Sequence, residues 1–188
     1  MDADHRDEKI LIARAITGDK DAFGVLYDRY FAQIFRYIQV RCGNAQDAED
    51  LTENVFIAAW EKLPSFKPRH GQFFFRAWLF RIGHNMMVDR FRQGNREDFI
   101  EEIHGLLPQP GRIEEGIMGR EEKGRMLEAI GSLDERAQQV IMARFVSGLT
   151  HEETAQVLQI SAGNVRIIQF RALKQLKEML MDDVTHEK

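Results

Sequence analysis

The chain has 188 residues, of which 44% are hydrophobic and 30% charged, and a formal net charge of -4, a composition that excludes wholesale disorder. Its single cysteine, Cys42, excludes an internal disulfide and a thiolate zinc cage, and no apolar run approaches the roughly 20 residues that span a bilayer. Because the acidic amino terminus also lacks a signal-peptide pattern, we expect a cytoplasmic protein that is not inserted in a membrane.

The first part of the chain predicts a bundle of four helices. Apolar residues at three-to-four spacing indicate a short helix over residues 8–17 and longer helices over about 19–41, 47–63 and 72–92. The last of these should bury four side chains, namely Phe75, Leu79, Ile82 and Met86. Such a set of helices is long enough to close around one core.

A segment of different composition follows this bundle. Residues 94–119 contain Pro108 and Pro110, several glycines and mostly acidic charges, and no long apolar stripe survives the prolines. We interpret this segment as a flexible linker. Its apolar residues, Phe99 and Ile100 among them, are about equally compatible with a solvated tether and with a short helix or docking on a partner.

Helical periodicity resumes after the linker. Asp134 is a candidate cap for a helix that ends at Gly148, and the segment from Thr150 to Glu153 is a capping box that opens a short helix. Ser161 then caps a final helix that reaches about Met181. Two helices joined by a tight turn are the signature of a helix-turn-helix motif.

Charge is segregated along the chain, so the net charge of the whole chain does not describe its local surfaces. Residues 1–66 carry 8 basic and 12 acidic side chains, whereas residues 67–93 carry 6 basic and 1 acidic. Residues 161–177 carry 4 basic side chains and no acidic one. Local fields rather than the total steer binding to phosphates, so both basic blocks are candidate nucleic-acid surfaces.

The final helix predicts a DNA-reading face. A core stripe runs from Val165 to Met179, and the opposite side gathers Arg166, Ile167, Phe170, Arg171, Lys174 and Lys177. Arginines can bond guanine edges, apolar groups can meet thymine methyls and lysines can bind phosphates in a major groove. The alternative is an ordinary solvated basic face near a helix carboxyl end.

The fourth helix of the bundle predicts a second nucleic-acid surface. Its outer face is expected to hold a tryptophan, an amide and basic side chains, which suit unstacked bases, and the loop before it adds positive charge. The residues concerned are Trp78, Arg81, His84, Asn85 and Arg92 on the helix and Lys67, Arg69 and His70 in the loop. The alternative is that Trp78 belongs to the core and Arg81 forms a surface ion pair.

At this point the sequence resembles a known family. The segments DAFGVLYDRYFAQIFRYI, DAEDLTENVFIAAWEKL and FRAWLFRIGHNMMVDRFR are similar to the second conserved region of extracytoplasmic-function sigma factors of the sigma-70 family. The segment LDERAQQVIMARFVSGLTHEETAQVLQISAGNVRIIQFRALKQLKE is similar to their fourth region. The resemblance covers roughly residues 20–92 and 120–180.

The resemblance implies an all-α protein of two small helical domains, a region 2 bundle at residues 1–93 and a region 4 helix-turn-helix at 120–182, joined by the linker at 94–119. It implies a sigma factor that binds core RNA polymerase, through the largest-subunit coiled coil and the flap, and directs initiation at promoter DNA, often under an anti-sigma factor. No cofactor, metal or catalytic residue is implied.

The resemblance also assigns roles to individual residues. The minus-thirty-five element would be read by Ser161, Asn164, Arg166, Ile167, Phe170, Arg171 and Lys174. The minus-ten element would be melted and read by Lys67, Arg69, His70, Trp78, Arg81, His84, Asn85 and Arg92. The polymerase coiled coil would be bound by Asp47, Asp50, Leu51, Glu53, Asn54, Phe56 and Trp60. Without the resemblance, the acidic charges of that helix are explained by capping and dipole compensation.

The sequence departs from the family pattern at two places. Glu53-Asn54 replaces the usual polar pair of the polymerase-facing helix, and Ile167-Ile168 replaces the usual polar run of the recognition helix, which predicts an altered minus-thirty-five preference.

Two rival functions remain. One rival is a stand-alone helix-turn-helix regulator with a helical dimerisation domain. The other, a metalloenzyme, is disfavoured because His151-Glu152 lacks the second histidine of a zinc helix.

Overall fold

A computed structural model of the chain describes residues 2–42, 44–67, 74–93 and 120–186. Within these ranges the chain forms helices and turns without a strand, which confirms the prediction of an all-α protein. The predicted linker at residues 94–119 lies outside the described residues. The helices are α1 (Asp2–Ile16), α2 (Lys20–Cys42), α3 (Ala45–Lys62), α4 (Phe75–Gln93), α5 (Arg120–Gly131), α6 (Glu135–Ile141), α7 (His151–Leu158) and α8 (Ala162–His186).

Helices α1–α4 form the N-terminal bundle, in which α2 packs against α1, α3 and α4. Its core contains the fully buried side chains of Leu26, Ile34, Val55 and Phe80. The first helix begins earlier than predicted, and Tyr30 of α2 donates a hydrogen bond to Glu8. Burial first, and then the Glu8 carboxylate, raise the pKa of Tyr30, so its hydroxyl keeps the proton that this bond needs.

Local capping signals set the helix boundaries. Asn44 caps α3 by accepting a bond from the Asp47 backbone N–H at 2.7 Å, so this helix starts two residues before its predicted start. Asp134 caps α6 as predicted, but that helix ends at Ile141 and continues as a π-helical turn over Met142–Val146. Both bonds of the predicted Thr150 capping box are present at the start of α7.

The C-terminal helices α5–α8 do not stand apart from the bundle. Helices α5 and α6 pack on α8 around a small core, whereas α7 packs on both α8 and α4. Leu149 lies just before α7 and Val157 lies within it. Both belong to the same continuous core as Ala77 and Phe80 of α4. Helix α4 is therefore covered on two sides, by α2 and α3 and by α7.

Two glycines predict opposite effects of the same substitution on stability. A Cβ at Gly24, inside α2, would meet nothing within 4 Å, so Gly24→Ala should raise the free energy of unfolding by about 0.5–1 kcal/mol through helix propensity. Gly148 has a φ of +60°, which disfavours a side chain, so Gly148→Ala should lower it by about 1–2 kcal/mol. Urea unfolding followed by circular dichroism measures both, and effects of equal sign would contradict the assigned backbone conformations.

Candidate nucleic-acid interface

The final helix, α8, turns one face to the core and the other to solvent. The Ser161 hydroxyl caps it by accepting a bond from the Asn164 backbone N–H at 3.1 Å. On the inner face Val165, Ala172 and Leu176 are buried. The predicted core stripe of this helix is therefore confirmed, with Ile168 and Met179 partly buried against the same core.

The outer face of α8 holds all the predicted DNA-reading side chains. Phe170 is 71% exposed and Ile167 51%, although both are large and apolar. Four cations share this exposed face, namely Arg166, Arg171, Lys174 and Lys177. Folding does not require exposed apolar groups among cations, whereas a major groove offers both thymine methyls and phosphates.

Two side-chain contacts join this part of α8 to its neighbours. The Arg166 guanidinium lies 2.9 Å from a Glu152 carboxylate oxygen of α7, in an ion pair whose two side chains are both more than half exposed. An ion pair this exposed contributes little free energy in water, so Arg166 can exchange Glu152 for a DNA acceptor with a small loss of stability. Arg144, in the π-helical turn that continues α6, donates to the Gln169 side chain of α8 at 3.0 Å. This bond joins α8 to that turn. No pattern around Arg144 predicted this contact.

A second cleft lies at the start of α4. It is lined by aromatic and basic side chains, and the Trp78 ring stands 4.9 Å from Phe66 and 5.6 Å from Phe75. Lys67 and Arg81 line the same cleft. Trp78 packs against the core, as one alternative predicted, and also borders the cleft, while its contact with bases stays a prediction.

The predicted outer face of α4 needs one correction. His84 is only 9% exposed, and its Nδ1 atom lies 3.2 Å from the Tyr37 hydroxyl in the interior of the bundle. A helical wheel shows only the spacing along α4, and the side that carries His84 packs towards Tyr37 of α2 instead of facing solvent. Asn85 is exposed. Arg69, His70 and the side chain of Arg92 lie outside the described part of the structure.

Of the residues on the acidic helix α3 that were predicted to bind the polymerase, some are exposed and others are buried. Asp50, Glu53 and Asn54 are exposed, whereas Leu51 and Phe56 are buried and serve the core. Leu51 and Phe56 therefore differ from the expectation of direct partner contact, because their side chains belong to the core of the bundle.

Both ends of α3 are tied to the bundle. Asp47 pairs with Arg90 of α4, and the half-buried Trp60 packs on Phe23 with ring centroids 5.0 Å apart. Burial, followed by the nearby Glu53 carboxylate, raises the pKa of Tyr27 beside this surface. The exposed side of α3 therefore carries acidic side chains, with the half-buried Trp60 near its end.

Two absences hold for the described ranges. No group of three His, Cys, Asp or Glu side chains there is arranged to hold a metal ion. No described helix combines the length and the low charge that crossing a membrane would demand.

Comparison with known families matches both halves of the chain. Residues 26–97 match Sigma-70 region 2, and residues 129–178 match Sigma-70, region 4. Together these ranges cover both candidate surfaces described above.

Individual relatives match over nearly the whole chain. The sequence is 31% identical to the ECF RNA polymerase sigma factor BldN of Streptomyces coelicolor, over 97% of this chain and 69% of BldN. It is 32% identical to the RNA polymerase sigma factor CnrH of Cupriavidus metallidurans, over 94% and 95% of the two chains.

Solved structures agree with these relatives. CnrH in complex with the cytosolic domain of CnrY superposes with a TM-score of 0.68, at 29% identity, over 94% of this chain and 99% of CnrH. The sigma factor RpoE from Bartonella quintana, in complex with the anti-sigma factor NepR, shares the fold with a TM-score of 0.61 at 22% identity, over 85% and 96% of the chains.

Proposed function

The chain belongs to the extracytoplasmic-function sigma factors of the sigma-70 family, and we propose that it binds core RNA polymerase and directs transcription initiation at specific promoters. The observation that carries this proposal is the outer face of α8, where exposed arginines flank the exposed Ile167 and Phe170. The chemistry of initiation would then belong to the polymerase, and this chain would have no catalytic activity of its own.

Each surface receives a role in this proposal. The outer face of α8 would read the minus-thirty-five element, and the cleft beside Trp78, with Lys67, Arg81 and Asn85, would hold bases of the minus-ten element. The exposed acids of α3 would bind a basic coiled coil of the polymerase. The domain assignment is the predicted one, residues 1–93 and 120–182 with a linker at 94–119, and the matched ranges support it.

Control by a protein partner is part of the proposal. CnrH, which this chain resembles over nearly its whole length, forms a complex with the cytosolic domain of CnrY. We infer that a corresponding anti-sigma factor binds this chain and withholds it from the polymerase. The alternative of a stand-alone regulator is disfavoured because its supposed dimerisation domain matches Sigma-70 region 2.

Run-off transcription with purified core polymerase on a library of genomic fragments tests the proposed function. The chain should co-purify with core polymerase, start transcripts at a limited set of sites and bind isolated duplex promoter DNA poorly. Tight binding to duplex DNA without any association with polymerase would instead support a stand-alone regulator.

Three substitutions on α8 should separate base reading from phosphate binding. Arg166→Ala and Arg171→Ala should each weaken binding of the polymerase complex to its promoter by about 1 kcal/mol or more, with little effect on random DNA. Lys177→Ala should weaken binding to both DNAs alike, because a phosphate contact carries no sequence information. Competition binding measures this difference, and an equal loss on both DNAs for the two arginines would remove their role in base reading.

A further inference from the structure

The side chain of Arg144 reaches two later parts of the helix-turn-helix motif from the π-helical turn that continues α6. Its Nη1 donates to the backbone carbonyl of Leu149, in the turn that leads into α7, and its Nε donates to Oε1 of Gln169 on α8 at 3.0 Å. Both bonds are partly buried. Because a guanidinium is planar and its N–H groups point in fixed directions, the two bonds together fix where α8 lies relative to the start of α7.

The backbone around Arg144 is itself held by hydrogen bonds. The Leu149 N–H donates to the Ala143 carbonyl at 3.0 Å, and the Ser147 N–H donates to the Met142 carbonyl at 3.1 Å. Leu149 is also completely buried. Single π-helical turns are rare and are frequently found at functional sites. The base of the Arg144 side chain is therefore fixed, so its bond to Gln169 can set the position of α8.

Gln169 lies among the side chains proposed to read DNA. Its neighbours Ile167 and Phe170 are more than half exposed on the outer face of α8, whereas Gln169 is partly buried and bonded to the π-helical turn. Because a helix is rigid, rotating or sliding α8 at this point would displace all the side chains of its outer face together. A hydrogen bond to a base edge weakens steeply when its distance or angle changes, whereas a flexible lysine can still reach a phosphate.

We propose that Arg144 is a positioning residue for the minus-thirty-five element: through Gln169 it sets the rotation and the axial position of the outer face of α8, and it touches no base itself. This inference rests on the proposed function, because it concerns the surface assigned to that element. The alternative is a direct role, in which the Arg144 cation binds a DNA phosphate. The two roles differ in what each substitution does to sequence discrimination and to salt dependence.

Arg144→Lys separates position from charge. Lysine keeps the positive charge and binds phosphate well, but its ammonium group cannot reproduce the planar fork of bonds. We expect the ratio of affinities for a promoter over random duplex DNA to fall by about tenfold, which is in the range that one base contact carries. The affinity for random DNA and its salt dependence should stay at the parent's values. Competition binding of the complex with core polymerase, at several salt concentrations and on a promoter found by run-off transcription, measures both.

Gln169→Met tests the same role from the other end of the bond. Methionine keeps an unbranched chain and a similar helix propensity but offers Arg144 no comparable acceptor, while the bond from Arg144 to the Leu149 carbonyl can remain. The affinity ratio should again fall by about tenfold. The double variant should lose about tenfold in total rather than about a hundredfold, because both changes remove the same contact. The matched control is Gln175→Met, at an exposed position of the same helix, which should keep the parent's ratio.

The outcomes separate this proposal from its alternatives. If Arg144→Lys keeps the parent's ratio while Arg144→Gln lowers the salt slope by about one phosphate contact, the cation binds DNA directly and the positioning role is wrong. A ratio for Gln169→Met equal to that of the Gln175 control would also overturn it. Partial unfolding lowers the amount of competent complex on both DNAs alike and leaves the ratio unchanged, and Gln169→Met gives the answer if circular dichroism shows the Arg144 variants unfolded.

Failure of this inference is also distinct from failure of the proposed function. A parent chain that directs transcription, with variants that discriminate as it does, contradicts the positioning role alone. A parent chain that starts no transcript contradicts the proposed function, and the positioning role falls with it.

Discussion

Phe80→Ala should lower the free energy of unfolding by about 3–5 kcal/mol, the range for a buried phenylalanine that leaves a cavity. Phe80 is completely buried, its ring meets Tyr37 edge-on at a centroid distance of 5.1 Å, and the Arg76 guanidinium lies over it at 5.6 Å. It belongs to the core that α4 shares with α7, so little of the neighbouring structure can collapse into the space. Urea unfolding followed by circular dichroism measures the loss.

Phe170→Ala provides the matched control for that prediction. The same side chain is removed, but Phe170 is 71% exposed on α8, so the free energy of unfolding should change by no more than about 0.5 kcal/mol. Its effect should appear in promoter binding instead. Similar losses of stability for the two variants would contradict the assignment of Phe80 to the core and Phe170 to a binding surface.

Trp78→Ala should reduce open-complex formation by about 5- to 150-fold, which corresponds to the ~1–3 kcal/mol that stacking of one base on an aromatic ring contributes. The ring borders the cleft with Lys67 and Arg81 and is held by Phe66 and Phe75. Permanganate reactivity of unpaired thymines, measured with saturating polymerase complex on a promoter found by run-off transcription, reports the melted fraction.

Trp78→Phe separates stacking from packing in this experiment. Phenylalanine keeps an aromatic face for the base, so most of the open complex should survive, provided that circular dichroism shows both variants folded. If alanine and phenylalanine reduce opening equally, or if neither does, Trp78 does not stack on a promoter base. The cleft would then need another role.

Local patterns in the sequence predicted the features that depend on nearby residues. The capping box at Thr150, the cap at Ser161 and the two faces of α8 follow from side chains within a few positions of one another, and the structure bears them out. The outer face of α8 was predictable because its helix packs on one side only. That is why the residues proposed for the minus-thirty-five element all appear at the surface.

Features that depend on distant residues escaped prediction. His84 was expected on an outer face of α4, but it lies against Tyr37 of α2, 47 positions earlier, and a helical wheel does not show such a contact. Leu51 and Phe56 were assigned to a partner surface by resemblance, yet both are buried in the core, and Tyr27 of α2 packs against Phe56. Arg76 had no local signal, since its acceptors at Ser147 and Gly148 lie more than 70 positions away.

That separation has a consequence for how the protein is made. Arg76 and Ser147 are 71 residues apart, so at about 5–20 residues per second the ribosome needs about 4–14 s to pass from one to the other. Small helical units fold within milliseconds, so the first four helices have time to fold before their later neighbour has been synthesised. Every new molecule therefore passes through a stage in which α4 has not yet met α7, and the core that these two helices share is completed only afterwards.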